Sequence, residues 1–348
     1  MVPKKVKRKL LQPDICHREK EFSDLLEDVS EKIKKVFRAN QDYFSVFLTG
    51  SGTCAMECII SSCIRKRALC ISNGAFGERW HGIATIYNID VNWLRYEWGE
   101  PINVEDVEKI LREDKEIDSI IMVYTETSTG MVNLVSEIGR LAKEYDKLFL
   151  VDAISALAVD DVNVVRDNID FCVASSNKGL CSIPGLAIIC GKEDSYQKIA
   201  DIKSRNFYCD LRRYYEYMKR KQTPTTPAVQ AFYALDEALN LLINEKVENR
   251  IKRLERYSKM IRRELTNLGF ELLLKNHFSN GVTSVKIPDT CTYKEIHDYL
   301  KNKGFVIYNG KGPLRDKIFQ VSVMGEINER TIKKFLRAVR QMKRDLKL

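Results

Sequence analysis

Three stretches hold residue types that could do chemistry together. Gly50-Ser51-Gly52-Thr53 lies between an apolar run that reads as a strand and a segment that reads as a helix. Small residues let an anion approach, and the first N–H groups of a helix point at it with the favourable end of the helix dipole. The hydroxyls of Ser51 and Thr53 add hydrogen-bonding capacity. A tight turn with a Ser or Thr cap is the plainer alternative. No Gly-Lys-Ser/Thr follows, so the stretch is not a P-loop. Asp152 closes Phe149-Leu150-Val151-Asp152. A carboxylate at the C-terminal end of a central strand sits where open α/β sheets bind ligands. Once buried it needs a cation, and a protonated pyridine nitrogen would serve; a helix cap or a metal ligand fits the position too. Lys178 closes Ser175-Ser176-Asn177-Lys178, directly behind another apolar run and ahead of Ser182-Ile183-Pro184-Gly185. Desolvation and a nearby cation would lower its pKa and make it an amine nucleophile; otherwise it is an exposed loop lysine.

Apolar runs that read as short strands fall at 44–48, 69–72, 91–96, 120–124, 148–152, 171–174 and 186–190. Helical periodicity appears at 18–38, 54–64, 76–86, 103–112 and 134–145. Strands alternating with helices predict an α/β fold, with a mostly parallel seven-stranded sheet covered by helices. After about residue 225 the pattern changes. Long helices at 228–243 and 246–268 precede short strands near 281–286, 304–308 and 318–323, with helices at 292–302 and 328–345. This predicts a large domain over 13–244, a smaller C-terminal α+β domain over 245–348, and a basic N-terminal segment over 1–12. In this frame an anion cradle comes first, then a strand-end acid, then a tethered amine. That is the set a pyridoxal 5′-phosphate (PLP) enzyme requires.

The 348 residues carry 44% hydrophobic and 30% charged side chains, ordinary for a globular protein. No apolar run reaches the roughly 18 residues of a membrane span, and no apolar stretch of a signal peptide follows the first residues. Ten cysteines lack zinc spacing and C-x-x-C pairs, so free thiols in a reducing cytoplasm, and no metal site, are expected. The net charge of +9 concentrates at Lys4, Lys5, Lys7, Arg8 and Lys9, on the helix near Arg250–Arg256, and in the tail. No nucleic-acid motif accompanies it. Solvated helix faces and a loose terminus are therefore expected, rather than a nucleic-acid or membrane surface.

Several further stretches join these to form a recognisable set: Pro13-Asp14-Ile15-Cys16-His17-Arg18-Glu19-Lys20-Glu21-Phe22, Ser72-Asn73-Gly74-Ala75-Phe76-Gly77, Glu126-Thr127-Ser128-Thr129-Gly130-Met131-Val132-Asn133, Ser204-Arg205-Asn206, Thr226-Pro227 and Gly304-Phe305-Val306-Ile307-Tyr308. From about Pro13 to Glu326 the chain resembles the class V aminotransferases of PLP fold type I, most closely their 2-aminoethylphosphonate–pyruvate transaminase branch. The resemblance implies that Lys178 attaches the cofactor as a Schiff base and later moves the substrate proton, and that Asp152 pairs with the ring nitrogen. It implies Phe76 on one ring face (by itself, an ordinary core Phe) and Ile154 on the other. Thr127 would meet the ring hydroxyl, Ser51, Gly52, Thr53 and Asn177 the phosphate, and Thr226 the phosphate of a partner subunit, which makes a homodimer. The implied substrates are a small-molecule amino donor and a keto acid acceptor.

Two features depart from the family. Gln320 stands where relatives carry an arginine that grips the substrate's anionic group. A lost charge-assisted contact is worth about 1.5–3 kcal/mol, and Lys311, Arg315 or Arg205 are the candidates to replace it. The family's Thr-Pro-Gly-Pro stretch has no counterpart ahead of Leu10-Leu11-Gln12-Pro13. Another class V donor (alanine, serine or a different aminophosphonate), or a PLP fold without catalysis, are the alternatives these departures raise.

Overall fold

The computed structural model describes all residues from Met1 to Leu348. Its strands, in chain order, begin with β1 (Tyr43–Gly50), β2 (Arg67–Ser72), β3 (Asp90–Arg95) and β4 (Ile117–Val123). A small hairpin of β5 (Thr125–Glu126) and β6 (Met131–Val132) follows. Next come β7 (Leu148–Asp152), β8 (Phe171–Ser175) and β9 (Gly185–Lys192). Seven of them form one sheet in the order β1-β9-β8-β7-β4-β2-β3. All neighbours are parallel except β9, which runs antiparallel to both β1 and β8. Because β9 reverses twice, β1 points the same way as the parallel strands. The C-terminal ends of β1, β8, β7, β4 and β2 therefore share one edge.

Both faces of this sheet are covered, which is why its central strands read as continuous apolar runs. Successive residues still alternate between two cores. Phe149 and Val151 pack with Phe22, Ile33 and Phe232 on one face, while Leu148 and Leu150 pack with Met56 and Trp80 on the other. Helices Lys20–Val36 and Val229–Glu245 cover the first face, and Gly52–Cys63 and Ala75–Ile86 the second.

Lys246, at φ +69°, breaks the run between helices Val229–Glu245 and Val247–Asn267. Beyond it, β10 (Val282–Lys286), β11 (Tyr308–Asn309) and β12 (Ile318–Ser322) make an antiparallel sheet in the order β10-β12-β11. Its core includes Leu254, Phe319, Val321, Ile332 and Val339.

Two local expectations fail. The strand expected at 304–308 shrinks to Tyr308–Asn309, because Gly304 (φ +86°) closes the preceding helix. The N–H of Gly304 bonds Lys301 O and that of Phe305 bonds Leu300 O, a helix-ending motif that fits glycine. The basic N-terminus is not loose either. Lys4–Arg8 is a helix whose Val6 is fully buried against Ala234 and Ala238, and Lys9 pairs with Glu237 at 3.6 Å. Helices Glu193–Ile199 and Leu211–Lys219 were not anticipated. No helix is long and apolar enough to cross a membrane.

Candidate active site

The chemistry-bearing residues converge at the shared C-terminal edge of the sheet. β1 ends at Gly50, and the helix Gly52–Cys63 starts two residues on, with Ser51 as its cap residue. The Ser51 hydroxyl makes no capping bond. The first-turn N–H groups, which no carbonyl of the helix can reach, are left without that cap. A Cβ on Gly52 would lie 2.4 Å from Ile154 Cδ1, so the bare backbone alone lets the helix start pack beside the residues following β7. Thr53 Oγ1 accepts a hydrogen bond from Arg79 Nη1 at 3.2 Å.

Asp152 ends β7, in register with Val123 of β4 and Val173 of β8. It is buried, and its Oδ1 accepts the Ile154 N–H at 2.8 Å. Burial pushes the carboxyl up to about 7. The Ile154 N–H pulls it down, the Glu126 carboxylate adds to the rise, and the charges of Arg79 and Lys178 oppose it. A deeply buried acid with no ion-pair partner on it suits a cationic ligand.

Lys178 follows β8 by three residues, on a loop held at several points. Ser176 N–H bonds Leu186 O, Ser176 Oγ donates to Ile183 O at 2.6 Å, and Ser182 N–H bonds Ser176 O. Next to the lysine, a Cβ on Gly179 would come 2.2 Å from Leu157 O. The loop therefore packs backbone to backbone, and the half-buried lysine has little freedom. Burial lowers its pKa, the Lys311 and Arg79 charges lower it further, and Asp152 acts in the opposite sense.

Glu126, from the β5–β6 hairpin, is fully buried and organises the other wall. It accepts the N–H groups of Phe76 and Gly77 at 3.0 Å each, and both the N–H and the hydroxyl of Ser128. A carboxylate at the start of helix Ala75–Ile86 complements the helix dipole and fixes the backbone of Phe76. Above this lies a cleft of about 710 Å³ walled by Phe76, Thr127, Asn177, Lys178, Lys311 and Gln320, among others. The Lys311 ammonium sits 4.8 Å from the centroid of the Phe76 ring, a cation–π distance.

The structure thus brings Ser51, Gly52, Thr53, Ile154, Asp152 and Lys178 to one sheet edge, with Phe76, Thr127 and Asn177 beside them. It does not bring Arg205 there. That guanidinium donates to Ser61 O and Ile64 O at the far end of helix Gly52–Cys63, where cations satisfy terminal carbonyls. Gln320 lines the cleft, but its Nε2 donates to Thr127 O (2.8 Å), Ser128 O (3.2 Å) and Ser284 Oγ (2.8 Å). Its N–H groups tie β12 to the Thr127 loop and are not free for a substrate anion. Thr226 is exposed and makes no hydrogen bond within the chain that would tie it to this cleft. Arg79 lay outside the quoted motifs, and Glu126, though it opens one of them, was given no role there. Helical spacing alone puts Arg79 one turn after Phe76 on the same face, whereas nothing local marks Glu126 as the anchor of that helix.

A covered, mostly parallel sheet with an acid, an amine and an uncapped helix start at its C-terminal edge defines a PLP enzyme of fold type I. Residues 9–323 match the family Aminotransferase class-V, and this chain belongs to that family. It is 41% identical to an uncharacterised aminotransferase of Methanocaldococcus jannaschii over 95% of this chain and 87% of that one. It is 32% identical to a 2-aminoethylphosphonate–pyruvate transaminase of Bacillus cereus over 96% and 93%. Among solved structures, a Thermus thermophilus aspartate aminotransferase is similar at 25% identity, with a TM-score of 0.92 over 99% and 97% of the two chains. The cofactor of this family is PLP, and the site residues fit it. The buried Asp152, without an ion-pair partner, would suit a protonated ring nitrogen, the helix start that Ser51 leaves uncapped would suit a phosphate, and the half-buried Lys178 would offer the amine.

Proposed function

We propose that this chain transfers the amino group of 2-aminoethylphosphonate to pyruvate, yielding phosphonoacetaldehyde and alanine. PLP, when bound, supplies a carbonyl that captures the donor amine and a ring that draws electrons from the adjacent carbon. Every other task falls to side chains. Asp152 keeps a positive charge on the ring nitrogen. Lys178 would tether the cofactor, and its freed amine would carry the proton from the carbon bearing the donor nitrogen to the cofactor carbon that had bound the amine. Its lowered pKa keeps a larger fraction in the neutral form that a base requires. Phe76 and Ile154 sandwich the ring, and Thr127 meets its hydroxyl. Ser51, Gly52, Thr53 and Asn177 hold the phosphate. Thr226, exposed on this chain, reaches the phosphate of a second copy in a homodimer.

The observation that carries the phosphonate reading is Lys311. It is an ammonium on the cleft wall beside Lys178, held over Phe76, and it offers the positive charge that Gln320 lacks. The similarity to 2-aminoethylphosphonate transaminases over nearly the whole chain supports the same donor. Ten free thiols suit the reducing cytoplasm. Gln320, held in the fold, offers no charge to either a phosphonate or a carboxylate, so the competing reading, an α-amino acid donor such as alanine or serine, would also draw on Lys311.

A half-reaction separates the two. Holoenzyme mixed with 2-aminoethylphosphonate alone should lose its cofactor absorbance band, and pyruvate should restore the band with release of alanine. Failure with this donor, alongside turnover of an α-amino acid, would sink the phosphonate reading. Failure with every donor would sink the catalytic one.

A further inference from the structure

Arg79 lies one helical turn beyond Phe76, with its Cζ 4.8 Å from that ring's centroid and its Nη1 on Thr53 Oγ1. The neighbouring carboxylate, Glu78, is taken by Arg95 at 2.8 Å and by the Trp98 indole at 3.0 Å, which leaves Arg79 without an acidic partner. Two cations therefore approach one ring, and they differ in place. Lys311 walls the open cleft. Arg79 is not part of that wall and turns toward Thr53, at the start of helix Gly52–Cys63. Its positive charge reaches both Asp152 and Lys178 from an exposed position at the edge of the site.

We infer that Arg79 is the charged ligand of the cofactor's phosphate, reaching it beside the Thr53 hydroxyl, while Lys311 serves the substrate's anion. A helix start and hydroxyls offer only neutral donors, whereas a guanidinium adds full charge and parallel N–H groups matched to phosphate oxygens. The inference rests on the PLP reading of the site and assigns a residue that none of the sequence motifs covered.

The test compares two ligands. Cofactor-free parent, Arg79→Gln and Arg79→Lys chains are titrated with pyridoxal 5′-phosphate and with pyridoxal, which lacks the phosphate, following quenching of tryptophan fluorescence. Arg79→Gln should raise the apparent Kd for pyridoxal 5′-phosphate by roughly tenfold or more and leave that for pyridoxal nearly unchanged. Arg79→Lys should recover part of the loss. Inorganic phosphate should compete with pyridoxal 5′-phosphate on the parent and much less on Arg79→Gln. Equal weakening of both ligands would make Arg79 a structural residue and overturn the inference, as would an unchanged Kd for the phosphorylated one. If Arg79→Gln does not fold, as read by circular dichroism, Arg79→Lys must show the selective loss in smaller measure, and its absence overturns the inference. Failure of the parent to bind pyridoxal 5′-phosphate would instead strike the PLP reading itself.

Discussion

Asp152 and Lys178, at the ends of adjacent parallel strands, bias each other's ionisation. Burial pushes the carboxyl up to about 7 and the ammonium down, and each charge partly offsets what burial does to the other. The pair is thus held away from its solution behaviour before any substrate arrives.

Stability of the cofactor-free chain should carry the mark of Asp152. The unfolded acid titrates near 3.8 and the folded one at about 7. Between those values the folded state binds more protons, so stability falls as pH rises from about 4 to about 7 and is flat above. A displacement of that size is worth roughly 4 kcal/mol at most. Asp152→Asn should remove that part of the slope in urea unfolding at pH 5 and pH 8. A variant as steep as the parent would contradict the burial argument.

Lys178→Ala should bind cofactor without tethering it. Borohydride followed by mass spectrometry should find no covalent adduct, and dialysis should remove the colour. Turnover should fall by about 10²–10⁴, the range of a lost proton carrier. An adduct on another residue would reassign the amine.

Gly52→Ala places a methyl 2.4 Å from Ile154 Cδ1. Overpacking of this kind costs about 1–3 kcal/mol, and cofactor affinity should drop with it. Adding Ile154→Ala should recover part of the stability, a non-additivity expected of touching residues. Strictly additive effects in thermal melts would show that the two do not meet.

Gln320→Leu and Lys311→Met should separate stability from binding. The first strips Thr127 O and Ser128 O of their side-chain donor and should destabilise by about 1–3 kcal/mol. The second removes an exposed charge, should leave stability within about 0.5 kcal/mol, and should raise KM for the phosphonate donor roughly tenfold or more. Steady-state kinetics beside unfolding curves would show whether the two effects fall on the residues in this order.

The covered α/β sheet was legible because its strands are buried on both faces. Runs such as Phe149–Asp152 and Phe171–Ser175 alternate with helical segments, and, as parallel strands, end at residues that chain direction sends to the same sheet edge. Asp152, Lys178 and the Gly50–Thr53 turn could thus be read from local pattern and order. The helix at 292–302 was legible, but the strand expected right after it at 304–308 was not there, because a short apolar run looks like a strand until its hydrogen bonds are known. Val6 gave no signal within its basic surroundings, since its partners, among them Ala234 and Ala238, lie far away in sequence.

The amino-acid order by itself thus determined the fold class and where the proposed amine, acid and anion-binding turn meet, because each is set by a run of neighbours along the chain. The tertiary structure decided which cations face the cleft: Lys311 does, while Arg205 caps a helix end and Gln320 ties the small sheet to the Thr127 loop. Long polar side chains reach several ångströms in any direction. Their partners lie far away in sequence, so their roles depend on packing between elements and not on local spacing.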